Sequence, residues 1–184
     1  MFSTLDPTTA LVTIDLQQGI TGMALAHPTE DVVRRSAALA KAFRRHGLPV
    51  VLVNVAGSPP GRTEAGSGAP RSLPEGWTDL VPELDQQPED LLVTKYARSA
   101  FAGTGLTERL RALGVTQVVV VGISTSGGVE STARSAHEDG FHVSLPIDAM
   151  TDRKPEAHEY SIRNIFPRIA ETGTTEDLLK LLGE

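Results

Sequence analysis

Val118-Val119-Val120-Val121-Gly122-Ile123-Ser124-Thr125-Ser126-Gly127-Gly128-Val129-Glu130-Ser131-Thr132-Ala133 is the stretch on which the fold of this 184-residue chain turns. Four consecutive valines form a short β-branched run, the pattern of a strand buried on both faces of a sheet. The glycines and serines that follow break the run, and the segment from Val129 onward resumes as a helix. Strand, loop and helix in that order make up the repeating unit of a parallel sheet. The chain contains no cysteine, which excludes disulfides, thiol catalysis and zinc–thiolate sites.

Outward from this stretch, a helix–glycine–strand pattern occurs three times: His46-Gly47 before Pro49–Val53, Leu113-Gly114 before Gln117–Val121, and Asp139-Gly140 before Phe141–Leu145. Each glycine suits a left-handed helix C-cap. With Ala10–Asp15 and Leu91–Lys95, five strands alternate with helices. The expected fold is a single domain over 1–184, three-layer α/β/α with a doubly wound parallel sheet. A helix is expected over 30–46, with its basic end, Arg44-Arg45-His46, solvated and complementing the helix dipole. The last helix is expected to start near Thr174, with Asp177 three residues on. Residues 57–88 are rich in Gly, Pro and Ser and carry Arg62, Arg71 and the lone Trp77. They leave the C-terminal end of the second strand, where open α/β sheets gather their binding sites. They read as a lid or pocket wall, or as a disordered surface loop.

Composition narrows the function. Hydrophobic residues at 40% and charged residues at 22% are globular values. The net charge of −6 argues against nucleic-acid or anionic-membrane partners. No run approaches a membrane span, and the first residues lack the basic start and apolar core of a signal peptide. A cytoplasmic chain is expected.

Three strand ends carry the residues that break a core pattern. Asp15 closes Val12-Thr13-Ile14-Asp15, Lys95 closes Leu92-Val93-Thr94-Lys95, and Gly128 lies just past the valine strand. Taken singly, Asp15 reads as a turn cap and Lys95 as a surface lysine. Taken together, they read as one site.

The stretch 122–133 resembles the G-x-x-T-x-x-C-V-x-x-T-A signature of the isochorismatase-like hydrolase superfamily. Gly122, Thr125, Val129, Thr132 and Ala133 match it, and Gly128 stands where the pattern has its cysteine. Lys95-Tyr96-Ala97-Arg98-Ser99-Ala100-Phe101 is similar to the K-W-R-Y-S-A-F run of siderophore and phenazine isochorismatases, with the arginine displaced by two residues. Asp15-Leu16-Gln17-Gln18-Gly19 lacks the aromatic common in those enzymes.

The resemblance implies that Asp15, Lys95 and Gly128 occupy the positions of the family's catalytic triad, and that the Ile123–Ser124 peptide is cis. It also implies that the missing thiol removes covalent amide hydrolysis while leaving vinyl-ether hydrolysis, which needs a general acid and water. Asp15 is the expected acid. The substrate-binding residues expected are Gln17, Arg62, Trp77, Arg98, Phe101 and Ser124. No cofactor and no metal are expected, because His27, His46, His137, His142 and His158 lack the spacing of the family's metal cluster and read as surface or helix-end residues. The expected partner is a small anionic substrate, with a homo-oligomer also allowed. Two other readings stand beside this one: a non-catalytic relative that binds a small molecule or partner, and an amide hydrolase using one of Ser124, Ser126 or Ser131.

Overall fold

The computed structural model describes residues 2–64, 66–67 and 72–184. Its centre is a seven-stranded parallel sheet built from β1 (Thr9–Ile14), β2 (Val50–Val55), β3 (Leu91–Lys95), β4 (Gln117–Ile123), β5 (His142–Pro146), β6 (Met150–Thr151) and β7 (Glu171–Gly173). The strand order is β3-β2-β1-β4-β5-β7, with β6 beside the end of β4. The five expected strands are present. β6 and β7 are additions too short for any residue periodicity to reveal.

Alternate residues of the central strands serve two cores. Ala10, Val12, Ile14, Val118 and Val120 pack on one side with α2 (Leu106–Ala112) and α3 (Glu130–Glu138), through Leu106, Leu110, Ala133 and Ala136. Leu11, Val119 and Val121 pack on the other side with α1 (Thr29–Arg45) and α4 (Thr175–Leu182), through Val32, Leu39, Phe43 and Leu178. Burial on both faces is why these strands read as unbroken apolar runs. The layers are therefore helix, sheet, helix.

The chain reverses its direction of winding between β1 and β4, which lie side by side. The carboxyl ends of two such strands leave a crevice, the usual ligand site of an open parallel sheet. Asp15 follows β1, and the glycine turn follows β4.

Two expectations need correction. The basic end of α1 is exposed at Arg45 and His46, as expected, but Arg44 is largely buried in an ion pair. Arg44 grips Asp90 through Nε (3.0 Å) and Nη2 (2.7 Å), and donates to Leu84 O at 3.0 Å. Arg45 and His46 both reach Glu184. The acidic partners are distant in sequence, so no local pattern announced them. Segment 57–88 is also less free than a lid. An antiparallel hairpin pairs Arg62–Thr63 with Gly66–Ser67, and Arg71 lies outside the described residues. Residues 77–81 are pinned to the turn after β1: Gly19 N donates to Trp77 O at 3.0 Å, Gln18 N to Asp79 O at 2.8 Å, and Val81 N to Leu16 O at 3.0 Å. α4 begins as expected, with Thr174 and Asp177 exchanging bonds of 3.2 and 2.9 Å in a capping box.

Candidate active site

Asp15 adopts φ 54°, a left-handed conformation that aspartate tolerates better than most residues. Its N–H keeps the sheet register, donating to Val53 O at 3.0 Å. The left-handed turn carries its carboxylate over the carboxyl ends of the strands. Lys95 ends β3, two strands away, and its long side chain spans β2 to reach it. Lys95 Nζ donates to Asp15 Oδ2 at 2.8 Å and to Ala97 O at 3.2 Å. Asp15 is 7% exposed and Lys95 2%.

Two opposing effects set the acidity of Asp15. Burial disfavours the anion, while the Lys95 ammonium and its hydrogen bond favour it. Burial wins, and the carboxyl is pushed up to about 6. Asp15 Oδ2 is committed to Lys95, whereas Oδ1 is buried without a hydrogen-bond partner among the described residues. A proton on this carboxyl therefore belongs on Oδ1.

β4 approaches from the other side of the crevice. Gly122 has φ 115°, and a Cβ there would stand 2.1 Å from Ile14 O, so no side chain fits. The Ile123–Ser124 peptide is cis, as the family resemblance implied. A π-helical turn, Thr125–Val129, then leads into α3. Ser124 O accepts from Gly127 N at 3.0 Å and Val129 N at 3.1 Å. A Cβ on Gly128 would stand 3.4 Å from Asp15 Oδ2 and 2.7 Å from Ile14 Cγ2. The structure thus brings Asp15, Lys95 and Gly128 together.

Other parts of the chain hold this turn. Asp152 Oδ2 accepts from Ser126 N (2.7 Å) and Ser126 Oγ (2.8 Å), and its Oδ1 accepts from Arg153 N at 2.7 Å. Thr125 Oγ1 lies 2.8 Å from His158 Nδ1. His158 is buried beneath the turn, not at the surface as its sequence context suggested. Its ring centroid is 4.6 Å from that of His27, and burial, followed by the charge His27 can carry, lowers its pKa and keeps it neutral. The segment after Lys95 is clamped to α3: Ala100 N donates to Thr132 Oγ1 at 3.0 Å and Ser99 Oγ to Ser135 Oγ at 2.8 Å. Among the described residues, no three His, Asp or Glu side chains are grouped to hold a metal ion.

The six expected binding residues separate. Ser124 and Arg98 lie at the glycine turn: the point a Gly127 Cβ would occupy is 2.6 Å from Ser124 Oγ and 3.6 Å from Arg98 Nη1. Trp77 is half-buried, with its ring directly over Gly19. Arg62 is exposed on the hairpin. Gln17 and Phe101 need correction. The Gln17 amide is consumed by the backbone, donating to Val55 O and Trp77 O at 3.1 Å each and accepting from Val55 N at 2.7 Å. It braces the loops around the crevice. Phe101 packs in the core with its ring centroid 6.0 Å from Phe141, which precedes β5 at the opposite end of the strands from Asp15. An apolar ring gains more there than beside a buried ion pair. Asp152 and His158 were not legible as site supports, because both act from loops or helices remote in sequence.

The comparisons agree with this architecture. The isochorismatase domain model matches residues 9–177. The uncharacterised isochorismatase family protein YecD of Escherichia coli O157:H7 is 41% identical over 182 residues, spanning 95% of this chain and 96% of its own. The maleamate amidohydrolase of Pseudomonas putida is 30% identical over 183 residues, spanning 94% and 86%. A relative of solved structure, an isochorismatase family protein of Burkholderia thailandensis, superposes with TM-score 0.92 at 38% identity over 98% of both chains. A matching domain model over most of the chain, a near-full-length relative and the same fold agree: this chain belongs to the isochorismatase family.

Proposed function

We propose that the protein hydrolyses the vinyl ether of an isochorismate-like small acid, with Asp15 as general acid and no covalent intermediate. The observation that carries this reading is the state of Asp15: buried, with a pKa near 6, Oδ2 held by Lys95 on the Gly128 side, and Oδ1 without a hydrogen-bond partner among the described residues. With a pKa of about 6, roughly one molecule in ten carries the proton at pH 7, enough to serve as the acid.

The steps balance without a protein nucleophile. Asp15 Oδ1–H gives its proton to the terminal enol carbon, leaving an oxocarbenium ion. Water adds to the cationic carbon, and its released proton returns to the Asp15 carboxylate. The resulting hemiketal collapses to the ring alcohol and a keto acid. Lys95 holds Oδ2, fixes the carboxyl's orientation, and stabilises the anion left after transfer. Gly128, at the position the resemblance gives to the family's cysteine, supplies no nucleophile, and a side chain there would press on Ile14.

Amide hydrolysis by a serine is the second reading, supported by the likeness to a maleamate amidohydrolase. Ser126 is the serine with a carboxylate partner, but Asp152 already accepts two bonds from Ser126 and one from Arg153, the role of an anchor rather than a free base. The separating experiment is mass spectrometry of protein quenched during confirmed turnover of isochorismate. Unmodified protein is expected, whereas an adduct on Ser124, Ser126 or Ser131 would establish the serine route. Absence of turnover on vinyl ethers and amides alike would support a non-catalytic binding role.

A further inference from the structure

Three of the cationic residues that could meet the negative charge of a substrate are Lys95, Arg62 and Arg98. Lys95 is already committed, with its ammonium bonded to Asp15 and Ala97 O and only 2% of the residue exposed. Arg62 is exposed on a two-residue hairpin. Arg98 differs from both. Its Nη1 stands 3.6 Å from the point a Gly127 side chain would begin, with Ser124 Oγ 2.6 Å from the same point on another side. The side chain is exposed and makes no hydrogen bond or ion pair with any described residue.

The backbone that presents Arg98 is held firmly. Lys95 is buried on one side of it, and on the other Ser99 and Ala100 are tied to Ser135 and Thr132 of α3. The acids nearest the turn in sequence and space are occupied. Asp152 is bonded to Ser126, and Glu130 is paired with Arg134 and accepts from Ser161 Oγ. On a chain of net charge −6, this leaves an uncompensated guanidinium beside a gap that glycine keeps open.

We propose that Arg98 is the carboxylate anchor of this site, its guanidinium fork and the Ser124 hydroxyl closing on a carboxylate lodged over Gly127, so that the site selects carboxylate-bearing substrates. The planar fork of arginine matches a carboxylate in two parallel hydrogen bonds, which a lysine cannot reproduce. The missing side chain at Gly127 is part of the selection: any Cβ there would press on Ser124 Oγ and fill the space the anion needs. The anchor rests on the assignment of the Asp15 crevice as the substrate site, but it concerns binding and does not require that Asp15 donate a proton.

The test uses benzoate and benzamide, a ring with and without a carboxylate charge, titrated into the full chain and followed by amide chemical shifts in nuclear magnetic resonance spectra. Wild type is expected to bind benzoate at least about tenfold more tightly than benzamide, the loss typical of one charge-assisted contact. Arg98→Met should bring the two within about twofold, and Arg98→Lys should keep an intermediate preference. Shifts should concentrate at Ser124, Ser126 and Gly127. Because Arg98 is exposed, these variants should fold normally, with unchanged spectra away from the turn. A preference that survives Arg98→Met, or a wild type that does not distinguish the two probes, overturns the anchor. Neither outcome bears on proton transfer, which turnover by Asp15→Asn tests separately.

Discussion

Lys95 Nζ lies 2.8 Å from Asp15 Oδ2, yet the carboxyl it touches titrates near 6 rather than below the usual aspartate range. Desolvation outweighs the ion pair, so the lysine orients the acid and moderates its pKa without abolishing its proton. Asp15 carries its raised pKa at a cost to stability: its contribution to folding is fully present below pH 3.8 and is lost as pH rises through about 6.

Removing the lysine should expose that balance. In Lys95→Met the opposing attraction disappears, so the Asp15 pKa should rise above 6. The variant should lose about 3 kcal/mol at pH 8, where the carboxylate is buried unpaired, and distinctly less at pH 5, where it is protonated. Urea unfolding at the two pH values measures this, and an equal loss at both would mean that Lys95 does not control the charge on Asp15.

Gly128 is sterically committed to Ile14. A Cβ at 128 would sit 2.7 Å from Ile14 Cγ2, a branch fixed at the Cβ of a central strand. Gly128→Ala should cost about 1–3 kcal/mol through overpacking. Ile14→Ala alone should cost about 2–5 kcal/mol through the cavity it leaves. The double variant should be more stable than the sum of the two losses, because each change relieves the other. Additive losses in thermal or urea unfolding would show that the two positions do not press on each other.

His158 should make stability fall in mild acid. Its folded pKa is depressed below 6.5, so its contribution is present above pH 6.5 and is lost as pH falls through the lower folded value. His158→Asn should flatten this part of the stability curve. A wild-type curve without such a fall, or one the substitution leaves unchanged, would contradict a buried neutral imidazole under Thr125.

The pH dependence of turnover gives the sign of the proton transfer. A general acid must enter the reaction protonated, so kcat/KM should be highest below pH 6 and fall about tenfold per unit above it. A group acting as a base would give the opposite limb. Measured rates on a vinyl-ether substrate from pH 4.5 to 8.5 distinguish the two.

Much of this was legible in the sequence, for reasons that differ by residue. The valine run of β4 announces a strand covered on both faces, and its neighbours in the register repeat the pattern. Asp15 and Lys95 stand out because each charge ends an apolar run, and the structure brings them together. Gln17 and Phe101 misled for opposite reasons. A glutamine beside an acid looks like a ligand contact, but backbone groups claimed its amide, and an aromatic near a lysine was drawn into the core. Asp152 and His158 gave no signal, because a support acting from 26 or 33 residues away leaves no local pattern.

The most direct measurement of the central claim is proton nuclear magnetic resonance of isochorismate incubated in deuterium oxide with the wild type and with Asp15→Asn. Protonation at the enol carbon places solvent hydrogen in the methyl group of the released keto acid. The wild type should give pyruvate carrying one deuterium in its methyl group at early times, and Asp15→Asn should give none above the uncatalysed rate. Isochorismate left intact by the wild type, or cleaved at the wild-type rate by Asp15→Asn, would contradict Asp15-catalysed vinyl-ether hydrolysis.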